Sequence, residues 1–184
     1  MIDVGAVLAG GRSERMGRDK SGLESDDGSF LDRATRGLRD VFGLVLVVGG
    51  GKAPTGTVLV DDIIADRGPL AGIASAIEHV DRSIFVCPID TPLLSSRTVG
   101  LLSKRQLRPG QARVARVDGR VQPVVGAYSS DLLPFMMAVL ESEDRSMMAF
   151  LSKVPHLELV DITDGSLRNI NTPQDYEALR SGLS

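Results

Sequence analysis

Ile2-Asp3-Val4-Gly5-Ala6-Val7-Leu8-Ala9-Gly10-Gly11-Arg12-Ser13-Glu14-Arg15-Met16-Gly17-Arg18-Asp19-Lys20 begins as an almost unbroken apolar run and ends in two glycines and a basic loop. A strand that is apolar on both faces must be covered on both faces, which is the habit of a central strand in a parallel sheet. Ile2 to Leu8 is therefore predicted as strand one, closed by a tight Ala9-Gly10-Gly11 turn. The same sign recurs downstream. Leu44 to Val48 is a second buried strand stopped by Gly49-Gly50-Gly51, Thr57 to Val60 a third, and Ser83 to Cys87 a fourth. Between them lie helical patterns. Leu31 to Phe42 mixes apolar and basic positions, and from Pro69 the apolar residues Leu70, Ile73, Ala74, Ile77 and Val80 make a helical stripe with proline in the first turn. Thr98 to Leu107, Asp131 to Leu140 and Ser146 to Leu151 are further helices. Arg113 to Val117 and Val121 to Tyr128 are strands joined at Asp118-Gly119, a hairpin turn signal, Leu157 to Ile162 is a late strand, and a last helix starts near Thr172. Strands alternating with crossover helices predict an α/β fold with a mostly parallel sheet covered on both faces and one antiparallel departure at the hairpin.

At 184 residues the chain fits one domain, 1–184. The longest aliphatic run, Leu44 to Val48, is far below the roughly 20 residues that span a bilayer, and no basic segment precedes the first apolar stretch, so neither a membrane span nor a secretory signal is expected and the protein is predicted to be cytoplasmic. Cys87 is the only cysteine, and His79 and His156 are the only histidines, which excludes an internal disulfide and cysteine- or histidine-rich metal clusters within one chain. All three have ordinary structural readings: Cys87 as a small core residue, His79 as a cation in the last turn of a helix, His156 in a polar loop. Net charge is −3, which gives no case for nucleic-acid binding. Residues 12–20, however, hold Arg12, Arg15, Arg18 and Lys20 against Glu14 and Asp19, so that segment carries +2 while the remainder carries −5. A basic loop on an acidic chain suits a small anionic ligand.

In open α/β sheets ligands lie beyond the carboxyl ends of the strands, so the residues after each strand are the candidates. After strand one, Gly10 and Gly11 let backbone N–H groups approach phosphate without Cβ obstruction, Gly17 permits a second bend, and Lys20 brings a point charge. The spacing is neither a Walker A loop nor G-x-G-x-x-G. After strand three come Asp61-Asp62 and Asp66-Arg67-Gly68, where an acid can meet sugar hydroxyls or a hydrated metal, or simply serve a turn. After strand four, Asp90 stands between Pro88 and Pro92. It is either a rigidly aimed carboxylate, which is sufficient for Mg²⁺ shared with substrate phosphates, or the N-cap of the next helix. Near the end, Asn169 and Asn171 fall on one face of an extended segment before Thr172-Pro173, with capping as the alternative role.

Taken together, Leu8-Ala9-Gly10-Gly11-x-Ser13-x-Arg15-Met16-Gly17-x-Asp19-Lys20, Gly68-Pro69-Leu70-Ala71-Gly72, Asp90-Thr91-Pro92, Gln122-Pro123 and Asn169-x-Asn171-Thr172-Pro173 resemble the molybdenum cofactor guanylyltransferases, in the same order and over roughly residues 4 to 179. The resemblance implies a three-layer Rossmann-like domain of the nucleotide-diphospho-sugar transferase type. It implies transfer of GMP from GTP to the phosphate of molybdopterin-bound molybdenum, with Mg²⁺ as cofactor and pyrophosphate released. By resemblance, Leu8, Ala9, Gly10, Gly11, Lys20, Asp62, Gly68 and Asp90 bind nucleotide, Lys20, Asp90 and Arg15 are catalytic, Asp90 holds the metal, and Asn169 and Asn171 serve the acceptor or metal side. Its implied partners are GTP, the molybdenum cofactor and proteins that deliver or receive that cofactor. Two departures stand out: Gly49 replaces an asparagine found in many relatives, and Ser25-Asp26-Asp27-Gly28 is longer and more acidic than the usual turn. Cytidylyl relatives tend to show Leu-Ala-Ala-Gly where this chain has Leu8-Ala9-Gly10-Gly11, which favours guanine. Cytidylyl transfer, sugar-1-phosphate nucleotidyl transfer and a non-catalytic nucleotide sensor remain as alternatives.

Overall fold

All five residues of β1 (Val4–Leu8) are buried, because the strand is flanked on both edges and covered on both faces. β4 (Leu44–Val48) pairs with it in parallel on one side and β6 (Ile84–Pro88) in parallel on the other. The computed structural model describes residues 2–10, 24–25, 28–64, 67–91 and 93–167. Gly11, Arg15, Lys20, Asp66, Pro92, Asn169, Asn171 and the helix expected near Thr172 lie outside the described residues.

The described sheet has the order β5-β4-β1-β6-β8-β7-β9, with β5 (Val58–Val60), β7 (Gln111–Val117), β8 (Arg120–Tyr128) and β9 (His156–Asp161). β8 is the one described strand of this sheet that runs against the others, antiparallel to both β6 and β7, while β9 lies parallel to β7. This is the single antiparallel departure that the hairpin signal predicted. Asp118, with φ 49°, and Gly119, with φ 75°, form its turn.

Period-two alternation sorts β1 between two cores. Val4, Ala6 and Leu8 face the core shared with α2 (Gly68–Val80), α4 (Leu133–Leu140) and α5 (Met147–Leu151), where Leu70, Ile73, Ile77, Met136 and Phe150 are buried. Val7 faces the other core, with Leu31 and Leu38 of α1 (Phe30–Arg39) and Val99 and Leu102 of α3 (Ser96–Ser103). There Phe42 and Phe85 stack with centroids 5.5 Å apart. Gly5 is required on this face, since a Cβ on it would stand 2.6 Å from Phe42 Cδ2. Helices on both faces of the sheet make the three layers. Among the described residues no helix is long and apolar enough to cross a membrane.

Several boundaries differ from the sequence expectation. α1 stops at Arg39, and Phe42 turns inward after the helix rather than within it. α3 begins at Ser96, because the Ser95 hydroxyl accepts from Thr98 N at 3.1 Å, and it ends four residues before Leu107. His156 opens β9 instead of lying in a loop. Ser130–Leu132 form a short 3₁₀ turn ahead of α4. The acidic Ser25-Asp26-Asp27-Gly28 segment joins a two-stranded ribbon, β2 (Glu24–Ser25) against β3 (Gly28–Ser29). Ser29 then starts α1 with a capping box: its Oγ accepts from Asp32 N, and Asp32 Oδ2 accepts from Ser29 N at 2.9 Å.

Candidate functional site

β1, β4 and β5 lead one way from the centre of the sheet while β6 lies on the other side of β1, so the strand order reverses between β1 and β6. A crevice at the carboxyl ends of these strands is where such sheets bind ligands. The register puts Leu8 opposite both Val48 and Pro88, so residues 9–10, 49–50 and 89–90 emerge side by side.

The first turn is tied down rather than open. Ala9 N and Gly10 N both donate to Val48 O, at 2.8 and 3.2 Å, and Gly49 N donates to Val60 O at 3.0 Å. The N–H of Gly10 is therefore committed to the neighbouring strand. Gly49 has φ 68°, and a Cβ on it would lie 2.8 Å from Gly10 Cα, a separation real Cβ atoms do not reach. The missing side chain thus lets two backbone turns touch. Against them sits the Asp62 carboxylate: Oδ2 is 3.4 Å from the Cβ position of either glycine, and Oδ1 is 3.6 Å from that of Gly72. Gly72, inside α2, packs closely too, a Cβ on it standing 3.2 Å from Leu8 Cδ2.

This geometry separates two glycines that look alike in sequence. Gly49→Ala is expected to lower stability by about 1–3 kcal/mol, since it adds backbone strain to a collision with Gly10. In Gly10→Ala the new methyl meets only ordinary contacts, so melting temperature should hold. Thermal melts of the two variants check this contrast.

Asp62 is positioned from behind by Ser75, whose Oγ accepts from Ile63 N at 2.9 Å while donating to Ala71 O at 2.8 Å. Sequence reading passed over Ser75; the available signal was a lone hydroxyl in an otherwise apolar helical stripe. It also passed over Arg67, which caps α2 without a side-chain cap bond and brings a cation to the crevice end of that helix. Gly68, with φ 72°, turns the chain into α2.

On the other side of β1, Ile89 N donates to Leu8 O at 3.2 Å, and the buried Thr91 folds its hydroxyl onto Pro88 O at 2.9 Å. Asp90 is held inside that turn with Ile89, half-buried. It does not cap α3, because Ser95 does, so the capping alternative is removed. The Cys87 thiol beneath it is pushed up to about 12, first by burial and then by the Asp90 carboxylate, with a Thr91 hydrogen bond opposing. Cys87 is accordingly an inert core thiol, as its sequence position suggested, and His79 ends α2 as expected.

Beyond α3 a second carboxylate fastens the approach to the C-terminal segment. Asp164 Oδ2 accepts from Ser95 Oγ at 2.9 Å and Thr98 Oγ1 at 3.0 Å, and Oδ1 accepts from Ser166 N at 3.0 Å. The hydrogen bonds from Ser166 hold its carboxyl well below the usual range, with burial opposing them and the Ser95 and Thr98 hydroxyls adding to the lowering. A carboxyl depressed on folding stabilises the native state above its unfolded value of about 4, and that contribution fades as pH falls further. The wild type is therefore expected to lose melting temperature between about pH 5 and pH 3 more steeply than Asp164→Ala. Parallel slopes would refute this.

The comparisons with known proteins agree with this architecture. Residues 5–158 match the family described as MobA-like NTP transferase domain. A Bacillus cytotoxicus protein named "Probable molybdenum cofactor guanylyltransferase" is 29% identical, over 96% of this chain and 95% of its own. The structure of molybdopterin-guanine dinucleotide biosynthesis protein A from Archaeoglobus fulgidus superposes with a TM-score of 0.79 at 19% identity, over 97% of each chain. A Mycobacterium tuberculosis protein in complex with manganese gives a TM-score of 0.68 at 19% identity, over 96% of each chain. With the family matched over residues 5–158, most of its length, this chain is a nucleotidyltransferase that belongs to the MobA-like NTP transferase domain family.

Proposed function

We propose that the chain, acting as one domain, transfers GMP from GTP to the phosphate of molybdopterin-bound molybdenum. The observation that carries the reading is the pairing of two carboxylates, Asp62 and Asp90, on either side of the β1 turn at the switch point of the sheet, with neither spent as a helix cap. The names of the relatives support guanylyl transfer and this acceptor.

In the reaction an acceptor phosphate oxygen forms a bond to the α-phosphorus of GTP while the bond from that phosphorus to the β-bridging oxygen breaks and pyrophosphate departs. A phosphomonoester with a second pKa near 6 is already largely dianionic at neutral pH, so no general base is needed. This accords with a crevice whose described residues include no histidine. Catalysis then rests on in-line placement and on neutralising the spreading charge. Leu8, Ala9 and Gly10 form the floor for the nucleotide, and Gly11 binds it with them. Lys20 binds those phosphates, Arg15 supports the leaving pyrophosphate, and Gly68 admits the start of α2 close to the nucleotide. Asp62, wedged among Gly10, Gly49 and Gly72, is placed to accept from nucleotide hydroxyl or amine groups.

Asp90 would hold Mg²⁺. The donor set fits, because this ion takes one or two carboxylates and completes its shell with substrate phosphates and water. When bound, it supplies charge neutralisation at the triphosphate. Asn169 and Asn171 serve the acceptor or metal side.

The decisive experiment is a competition of GTP, CTP and ATP with Mg²⁺ and the phosphorylated pterin acceptor. GTP should be preferred about tenfold or more, equivalent to about 1.4 kcal/mol. Equal use of CTP would move the assignment to cytidylyl transfer, and no transfer from any nucleotide would leave only the sensor.

A further inference from the structure

We propose that this protein has a second anion site, for a small phosphate-bearing molecule, at the end of the sheet away from the crevice. β7 runs in the same sense as β6, so Gln111 and His156, which open β7 and β9, lie at the amino ends of the strands. There the segment after α3 and the start of β9 enclose a concavity of about 670 Å³. That volume is in the range of small-molecule sites, but its walls are mainly polar, which excludes an apolar occupant.

The cations in the wall exceed their partners. Arg113 has a side chain only 4% exposed, and its Nε donates to Glu158 Oε2 at 2.8 Å. Its Nη1 donates to Leu102 O and Arg105 O, each at 3.2 Å, while Nη2 has no acceptor among the described residues. Arg105 and Arg108 also line the concavity, are exposed, and enter no ion pair among the described residues. Glu158 is the single carboxylate of the lining, and its Oε2 is already shared with Gln111 Nε2 at 2.8 Å. Three guanidinium groups against one carboxylate give the wall +2 on a chain of −3.

The bonds of Arg113 to Glu158 and to two backbone carbonyls hold its guanidinium in place with Nη2 left to donate, which lowers the ordering cost of binding. A phosphate group, with several oxygens around one centre, can accept from that fixed Nη2 and from two mobile forks at once. A single carboxylate is matched by one fork alone. The occupant is therefore a compact polyphosphate or phosphomonoester, held by Arg105, Arg108 and Arg113 independently of the crevice.

Inorganic pyrophosphate without Mg²⁺ is a suitable probe. Titration of the full chain, followed by amide shifts in its NMR spectrum, should show saturable changes at residues 105–111 and 156–158 with a Kd below about 10 mM. R105Q/R108Q should weaken these changes at least about tenfold while leaving melting temperature and GMP transfer unaltered, and Lys20→Ala should leave them intact. Arg108→Gln alone should show a smaller loss of the same kind, which guards against a misfolded double variant. Shifts confined to residues around Gly10, Gly49 and Asp90, or their persistence in R105Q/R108Q, would overturn the proposal. Absence of saturation up to about 10 mM would overturn it equally.

Discussion

Lys20→Ala is expected to slow GMP transfer about 10²-fold, or roughly 3 kcal/mol of transition-state stabilisation, with melting temperature essentially unchanged. The structure sharpens the reason. The amides of Ala9 and Gly10 are spent on Val48 O, so on the proposed reading these two offer a triphosphate little charge and neutralisation falls to basic side chains such as those of 12–20. Lys20 ends that segment, and a lysine there acts as a point charge that no neutral residue replaces. Arginine should restore part of the rate, since it keeps the charge with a different donor geometry. Single-turnover rates with GTP and acceptor, beside melts of each variant, measure both halves. Wild-type turnover in the alanine variant would remove Lys20 from the site.

Asp90→Asn is the second large effect: a fall of about 10²–10³-fold in transfer at ordinary Mg²⁺, partly recovered as Mg²⁺ is raised. The substitution keeps size and shape, and the helix that follows is capped by Ser95, so no cap is lost. The turn itself is held by Thr91 and Ile89 rather than by position 90. What disappears is the negative charge that opposes the cation. Rate against Mg²⁺ for wild type and variant should give displaced curves, and overlapping curves would refute the metal role. Cys87 offers an internal check, because part of the upward shift of its thiol comes from the Asp90 carboxylate and should shrink in Asp90→Asn.

The parts of the fold legible in sequence were those written by continuous burial. The runs ending at Leu8, Val48 and Cys87 became β1, β4 and β6, and the residues after them became the crevice. That rule singled out Asp62 and Asp90 as candidates, and both follow the carboxyl ends of their strands, β5 and β6. Gly49 was visible only as a departure from relatives; its φ of 68° and its contact with Gly10 are properties of two loops meeting, and no local pattern encodes them. Ser75 escaped for a similar reason, since its partner at Ile63 is twelve residues away in sequence. The early end of α3 was not legible because nothing in Lys104-Arg105-Gln106 breaks a helix; the carbonyls of Leu102 and Arg105 are instead taken by the buried Arg113, from a later strand. The rule of looking after each strand also fails for β8, whose reversed sense brings its beginning, Gln122-Pro123, toward the carboxyl end of β6.

That same strand carries slack. Val114 and Ala115 of β7 are consecutive, yet they pair with Gly126 and Gln122, so residues 123–125 of β8 are extra length held within the ladder. Pro123 is tolerated there because an irregular stretch needs no donor from it, and its carbonyl instead receives the hydroxyl of the buried Tyr128. Gly126 closes the stretch where a Cβ would stand 2.5 Å from Arg113 O. From Gly126 onward the pairing with β6 is regular. Lengthening, shortening or resculpting residues 122–125 can therefore be taken up locally, without re-registering β6 or the strands beyond it. A lineage can recut this seam while inheriting β1, β4, β5 and β6 unchanged.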